Sequence, residues 1–283
     1  MSNAIARRSA LRMLGAGAAA LCPICLSLGA RAEEKAAPAH GAAAPADAAA
    51  APAAHGAGAP AHWEYGGEAG PGNWGKLSAD FKVCELGLEQ TPIDLTSAVR
   101  AELGGVEPTF QEMPLTILNN GHTIQVNCAP GSGTRIGGEQ FDLLQFHFHH
   151  PSEHLLSGKA FDLELHFVHK SAAGQLAVLG VFMRPGAENY ALQPVWAAMP
   201  AEAGPEKGVG TPIRPAELLP PGRGYFRYQG SLTTPPCSEG VLWTVFKDPI
   251  EVSEAQVRQF AALFPNNARP VQRLHRRFLL ESL

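Results

Sequence analysis

Seven of the eleven histidines fall between His122 and His169, and three of them have a spacing that can do chemistry. In Gln145-Phe146-His147-Phe148-His149, alternation along an extended chain turns Gln145, His147 and His149 to one side and the two phenylalanines to the other. Two imidazoles so placed can share a metal ion. In Glu164-Leu165-His166-Phe167-Val168 the same alternation groups Glu164, His166 and Val168, so a neighbouring strand can carry His166 to the first pair. Three neutral imidazoles leave a fourth tetrahedral corner for water, which is the donor set of a catalytic rather than a structural zinc site. Gln145 and Glu164 each precede a histidine by two residues on the same face, where an oxygen can accept the proton of the ring's second nitrogen and fix its tautomer. A single strand histidine is more often just packed and hydrogen-bonded; the metal reading rests on three rings together with two polar supporters.

Strands must position these side chains. Short alternating or wholly apolar runs divided by Gly, Pro and Asn occur at Leu115 to Leu118, Thr123 to Asn127, Leu143 to His149, Asp162 to His169, Gln175 to Met183 and Gly240 to Phe246. Helical patterning is weak until Ser253, which caps an amphipathic run containing Val257, Phe260, Ala261 and Phe264 and ended by Pro265. The expected fold is mainly β, with a few short peripheral helices.

Of the 283 residues, 45% are hydrophobic and 17% charged, enough to build a large core. The first thirty or so residues read as an export signal. Arg7, Arg8 and Arg12 form a basic head, Met13 to Leu28 is small and apolar, and Ala30-Arg31-Ala32 offers a cleavage site. The paired arginines resemble a twin-arginine signal, although Ala6 and Ala10 stand where serine and phenylalanine are usual. An uncleaved membrane anchor is the alternative, and it is the only membrane contact expected. Residues 33–61 hold 16 alanines, four prolines and three glycines, with no large apolar residue, and read as a flexible linker in which His40 and His55 are solvated. From residue 62 to 283 the pattern is that of one continuous domain. Beyond residue 32 the chain carries 18 basic residues against 26 acidic ones, a balance that argues against nucleic acid as a partner. Cys22 and Cys25 lie in the signal, leaving Cys84, Cys128 and Cys237, so one intrachain bridge at most. Monomer and homodimer both remain open.

The motifs around the histidines, taken in order, carry a resemblance. They are His62-Trp63-x-Tyr65, Asn73-Trp74, Gln90-Thr91-Pro92-Ile93-Asp94, the two histidine segments with Ser152-Glu153-His154 between them, Gly230 to Cys237 and Asn267-Ala268-Arg269-Pro270. Together they span essentially the whole domain and are similar to those of the alpha carbonic anhydrases. The resemblance implies a large central, mostly antiparallel twisted sheet, and reversible hydration of carbon dioxide to bicarbonate at a zinc ion; the signal segment makes the expected location periplasmic or otherwise exported, by the twin-arginine or the general secretory route. His147, His149 and His166 would be the zinc ligands, with Gln145, Glu164 and the Asn267 carbonyl as their hydrogen-bond partners. Thr233 would accept a proton from the nucleophile while donating its own to Glu153, and Thr234 would help orient substrate. Val168, Val178, Leu232 and Trp243 would form an apolar wall for the uncharged substrate, and alternation already places Val168 on the face of His166. His122 would shuttle protons to buffer, a task that suits an imidazole, with Tyr65, Asn120 and Gln125 ordering the water between; Gln125 replaces an asparagine common there. Cys84 and Cys237 would form a bridge that pins the Thr233 loop and leaves Cys128 free. His150 and His154 receive no metal role, and His154 is expected beside Glu153 as a buried hydrogen-bonding residue.

Two rivals accompany that reading. His147-x-His149 with Glu153 four residues on imitates a cupin metal motif, in which Glu153 would be a ligand. A relative that keeps the fold only as a binding module is the second, and it conflicts with the presence of every ligand together with Thr233, Glu153 and His122.

Overall fold

The computed structural model describes residues 61–283. The expected export signal at 1–32, and the linker at 33–61 save its last residue, lie outside the described residues, and with them Cys22, Cys25, His40 and His55.

One sheet of thirteen strands dominates, beside a pair of two-residue strands. Eight of its strands matter here: β1 (Met113–Asn119), β2 (Ile124–Asn127), β3 (Glu139–His149), β4 (Leu163–Ser171), β5 (Leu176–Pro185), β6 (Lys207–Ile213), β7 (Tyr225–Ser231) and β8 (Glu239–Phe246). Their order across the sheet is β6-β1-β2-β3-β4-β5-β8-β7, continued by Leu280–Ser282 and Val99–Ala101. Neighbours among the eight are antiparallel except β5 and β8, which run parallel, so the sheet is mixed. Among the described residues the helices are short and peripheral. The longest, Glu254–Leu263, starts in a capping box between Ser253 and Gln256 that satisfies two otherwise free N–H groups.

Period-two patterning gives the sheet two unlike faces. On β4, Leu165 and Phe167 enter the main core with Phe146, Phe148, Leu179 and Val181, whereas Val168 joins a second apolar cluster with Val178, Trp243 and Tyr228. Side chains such as Phe146, Phe148 and Phe167 are wholly buried, and each contributes about 1.5–3 kcal/mol through apolar area removed from water.

Strand β3 breaks strict alternation. Its register against β4 slips between Leu143, opposite His169, and Gln145, opposite Val168. The extra residue, Leu144, is 42% exposed. This bulge lets Leu143 share the main core with Phe146 and Phe148, although it lies an odd number of residues from Phe146, and it leaves His147 and His149 on the other face.

The strands read from sequence are all present. β3 starts at Glu139, four residues before the expected Leu143, because it also pairs with Gly133–Ile136. The strands β6 and β7 had no clear sequence signal: β6 is rich in glycine and proline, and β7 carries Arg227 and Gly230 among its aromatics. Cys84 and Cys237 form a disulfide across 153 residues of sequence, packed with Trp74 and, more loosely, Trp63 and Tyr65.

Candidate metal centre

His147 on β3 lies directly opposite His166 on β4 in the antiparallel register, and His149 lies two residues along the same face of β3. The ring centroids are 5.0 Å apart for His147 and His149, 5.3 Å for His147 and His166, and 4.5 Å for His149 and His166. One nitrogen from each ring falls within 4.8 Å of the other two.

The remaining nitrogen of each ring is tied. His147 Nδ1–H donates to Gln145 Oε1 at 2.8 Å, His149 Nδ1–H to the Asn267 carbonyl at 2.8 Å, and His166 Nε2–H to Glu164 Oε1 at 2.9 Å. A ring that donates through one nitrogen presents a lone pair on the other. His147 and His149 therefore offer Nε2 to the common point and His166 offers Nδ1. Burial first, then the two neighbouring imidazoles, pushes the His147 pKa well down; burial also lowers His149, against the opposing charge of Glu153. Burial thus favours the neutral, coordinating form of His147 and His149.

Glu164 is wholly buried, and its Oε1 also accepts from His154 Nδ1 at 2.7 Å while Oε2 accepts from the His154 N–H at 2.9 Å. Burial alone would raise its pKa, but the His154 and His166 rings outweigh that and hold it well below the usual range. His154 Nε2 meets the Tyr228 hydroxyl at 2.6 Å, and that hydroxyl donates to Thr91 at 3.2 Å. His154 thus belongs with Glu164 rather than Glu153: its ring nitrogens are taken by Glu164 and Tyr228, one on β4 and one on β7, which adjacency in sequence does not reveal.

Glu153 is 2% exposed. Its Oε1 accepts from the Arg269 N–H at 2.9 Å, whereas Oε2 is buried without a hydrogen-bond partner, 3.5 Å from His149 Nε2 and 3.9 Å from His166 Nδ1. The bond from Thr233 that the resemblance implies is not formed at that oxygen. Thr233 is buried, and Thr234 lines the cavity above the triad. Their loop is held by Cys237 N–H donating to the Thr234 carbonyl and by the Cys84 bridge.

The apolar wall is continuous across three strands. Val168 on β4 pairs with Val178 on β5, and Val178 pairs with Trp243 on β8. Leu232 packs on the same cluster, and the Trp243 ring lies 4.9 Å from that of His166.

Above the triad a cavity of about 120 Å³ is lined by His147, His149, Gln145, Thr234, Tyr65, Asn120, Gln125, His122 and Trp63. His122 stacks on Trp63 with ring centroids 3.7 Å apart and planes 11° off parallel, and its Nδ1 is buried without a partner. Burial lowers its pKa, Glu64 opposes the shift and His62 adds to it. Burial pushes the Tyr65 phenol well up. His150 is apart from all this, its Nδ1–H donating to the Pro265 carbonyl. Among the described residues Cys128 has no disulfide partner, and burial raises its pKa to about 12.

Several contributors escaped sequence reasoning. In the sequence Trp63 stands out only as part of the His62-Trp63-x-Tyr65 motif. The Asn267 side chain accepts from the His150 N–H and donates to the carbonyls of His122 and Phe148, so one residue ties the His122 turn to the end of β3. Buried Arg269 bonds the carbonyls of Thr91 and Cys84 and thereby secures the disulfide segment. Nothing local marks these long-range contacts.

The donor set fits a metal ion. His149 Nε2 is buried with no hydrogen-bond partner, and an unpartnered buried polar atom costs about 1–3 kcal/mol unless something else meets it. A cation at the focus of three lone pairs does so, and three imidazoles with room above them suit zinc in a catalytic setting.

Fold and site together define a β protein dominated by one large sheet, with three imidazoles that could hold a metal ion beside a cavity. A cupin's double-sheet jelly roll is a different architecture. Residues 69–283 match the profile of the eukaryotic-type carbonic anhydrase family. A carbonic anhydrase of Nostoc sp. is 46% identical over 228 residues, covering 78% of this chain and 86% of that protein. One from Pectobacterium carotovorum is 44% identical over 220 residues, covering 77% and 90%. The solved structure of the α-carbonic anhydrase from Thermovibrio ammonificans with the inhibitor sulfanilamide is similar at a TM-score of 0.77 and 45% identity, over 78% of this chain and all of that one. The chain belongs to the alpha carbonic anhydrases.

Proposed function

We propose that this protein is an exported, zinc-dependent carbonate dehydratase that interconverts carbon dioxide and bicarbonate, CO2 + H2O ⇌ HCO3− + H+. The observation that carries the reading is the convergence of three tautomer-fixed imidazoles whose free nitrogens lie within 4.8 Å of one another. His147, His149 and His166 would hold the ion, with Gln145, Glu164 and the Asn267 carbonyl fixing their rings. Zinc in this class of enzyme is known to lower the pKa of a bound water to about 7, which supplies a nucleophile at neutral pH.

The chain's own residues do the rest. Val168, Val178, Leu232 and Trp243 receive an uncharged, linear substrate beside His166 and exclude water from it. The unpartnered Glu153 Oε2 is an acceptor waiting for the Thr233 hydroxyl, which then has only its lone pairs to offer the nucleophile and so orients it. Thr234, at the cavity wall, contacts substrate or product. His122, at the cavity mouth with a free ring nitrogen, takes the proton released at each turnover and passes it to buffer, and Tyr65, Asn120 and Gln125 order the water between.

The domain organisation follows the same reading: signal at 1–32, linker at 33–61 and catalytic domain at 62–283. The Cys84–Cys237 bridge supports an oxidising, periplasmic destination. Among the described residues no helix is long and apolar enough to cross a membrane.

Stopped-flow hydration assays with and without chelator test the reading. Activity should follow one zinc per chain and vanish on its removal; zinc-loaded protein no faster than buffer would refute it. His122→Ala should lower kcat in weak buffer by about tenfold or more, less than the roughly 10²–10⁴-fold of a positioned acid–base group because water and residual buffer still relay some protons. Added imidazole should restore it, and an unchanged kcat would remove the shuttle role.

A further inference from the structure

Four side chains leading away from the cavity form one hydrogen-bonded line. Asn120 Oδ1 accepts from the N–H groups of His122 and Thr123 at 3.0 and 2.9 Å. Asn120 Nδ2 donates to Gln125 Oε1 at 3.3 Å, Gln125 Nε2 to Asn127 Oδ1 at 2.7 Å, and Asn127 Nδ2 to Glu206 Oε2 at 2.6 Å. Gln125 and Asn127 stand on β2 opposite His147 and Gln145 of β3, so the line runs along the face that carries the metal centre. Glu206 immediately precedes the edge strand β6 and does not line the cavity.

The two ends give the line a direction. Backbone N–H groups can only donate, so they demand the carbonyl of Asn120; a carboxylate can only accept, so Glu206 demands the NH2 of Asn127. Each amide between them is then held in one of its two orientations, and each bond polarises the next. An amide left without a terminal acceptor can turn over, and the cavity wall would then offer a donor where it had offered an acceptor.

We propose that Glu206 is a positioning residue of this enzyme. Through Asn127, Gln125 and Asn120 it fixes the polarity of the cavity's amide wall and the turn that carries His122, and with them the water path by which the proton leaves. The inference rests on the shuttle reading of His122. Glu206 acts on proton exit and not on the attack on carbon dioxide, since none of the four residues belongs to the triad or to the apolar wall.

The test exploits the line's direction. In Glu206→Lys the ammonium can only donate, so Asn127 must turn its carbonyl outward and its NH2 toward Gln125, and two NH2 groups then collide at the Gln125–Asn120 junction. Glu206→Gln retains an acceptor and tolerates the native direction. The double variant Asn127→Asp with Glu206→Lys restores it, because a carboxylate at position 127 would accept both from the new ammonium and from the Gln125 amide. On the full-length, zinc-loaded chain in weak buffer, Glu206→Lys should lower kcat about three- to tenfold with kcat/KM unchanged, the size of one hydrogen bond's contribution. Glu206→Gln should stay close to the parent, the double variant should recover, and imidazole should rescue Glu206→Lys. A parental kcat in Glu206→Lys, a loss that the double variant fails to recover, or an equal loss in kcat/KM would each overturn the proposal. His122→Ala run in parallel separates the two readings. If it lowers kcat and Glu206→Lys does not, only the role of Glu206 falls; if neither lowers it, the shuttle reading falls as well.

Discussion

His166 and His169 stand three residues apart on one strand, and both are buried, yet the sheet uses them in opposite ways. On the core face, His169 Nδ1–H donates to the Phe167 carbonyl at 2.9 Å and Nε2 accepts from the Thr134 hydroxyl at 2.9 Å. Both nitrogens are satisfied and nothing is left to offer a ligand. On the site face, His166 spends only Nε2, on Glu164, and directs Nδ1 at a point that two other rings also face. Burial is common to both. A buried imidazole becomes a ligand when one nitrogen is tied, the other is free, and the free ones converge.

Three experiments break or sharpen that contrast. The largest effect is expected from removing a converging nitrogen: His149→Ala should reduce bound zinc from one per chain to near zero and bring hydration to the buffer background, measured by elemental analysis beside stopped-flow assay. His169→Gln should leave metal content and hydration intact, and an equal loss in both variants would erase the distinction between the faces.

The second effect is on acid stability. Burial holds the His169 pKa at about 4, below its ordinary 6.5, so the unfolded chain binds the extra proton first. Its contribution is complete above pH 6.5, declines as pH falls from there towards 4, and amounts to about 3 kcal/mol over the window. Denaturant unfolding of chelated protein at pH 7 and pH 4.5 should show this loss in the parent and a shallower one in His169→Gln. Equal slopes would mean that His169 is not held neutral.

The smallest effect should come from the tie rather than the ligand. Glu164→Gln keeps an oxygen for His166 Nε2–H but cannot accept from both His166 and His154 with a full charge. Zinc affinity should fall about 10- to 100-fold, as it does for partners of ligand histidines generally, with the fold retained. Competition with a chromogenic chelator measures it, and parental affinity would show that the carboxylate only fills space.

Much of this was legible in the residues themselves. Gln145-Phe146-His147-Phe148-His149 and Glu164 to Val168 announce their faces because side-chain direction on a strand alternates with a period set by covalent geometry. The same patterning located six strands and the capped helix at Glu254–Leu263. Legibility failed where a partner lies far along the chain. His154 looked like a neighbour of Glu153 and proved to bridge Glu164 and Tyr228. β6, rich in glycine and proline, holds its place by pairing, β7 pairs as well but also buries Tyr225, Phe226 and Tyr228 in two separate apolar clusters, and nothing near residue 206 hints at residue 127.

Sequence by itself determined which side chains could coordinate a cation and which face of each strand carries them, since alternation and side-chain chemistry are local properties. Only tertiary structure decided that β3 and β4 pair with His147 opposite His166, and that a bulge at Leu144 lets Leu143 and the two histidines face opposite ways without sacrificing the core. Register is a choice among pairings, made by the summed burial of both faces and by contacts such as Asn267 with His149 across 118 residues, and no single stretch of chain contains that sum.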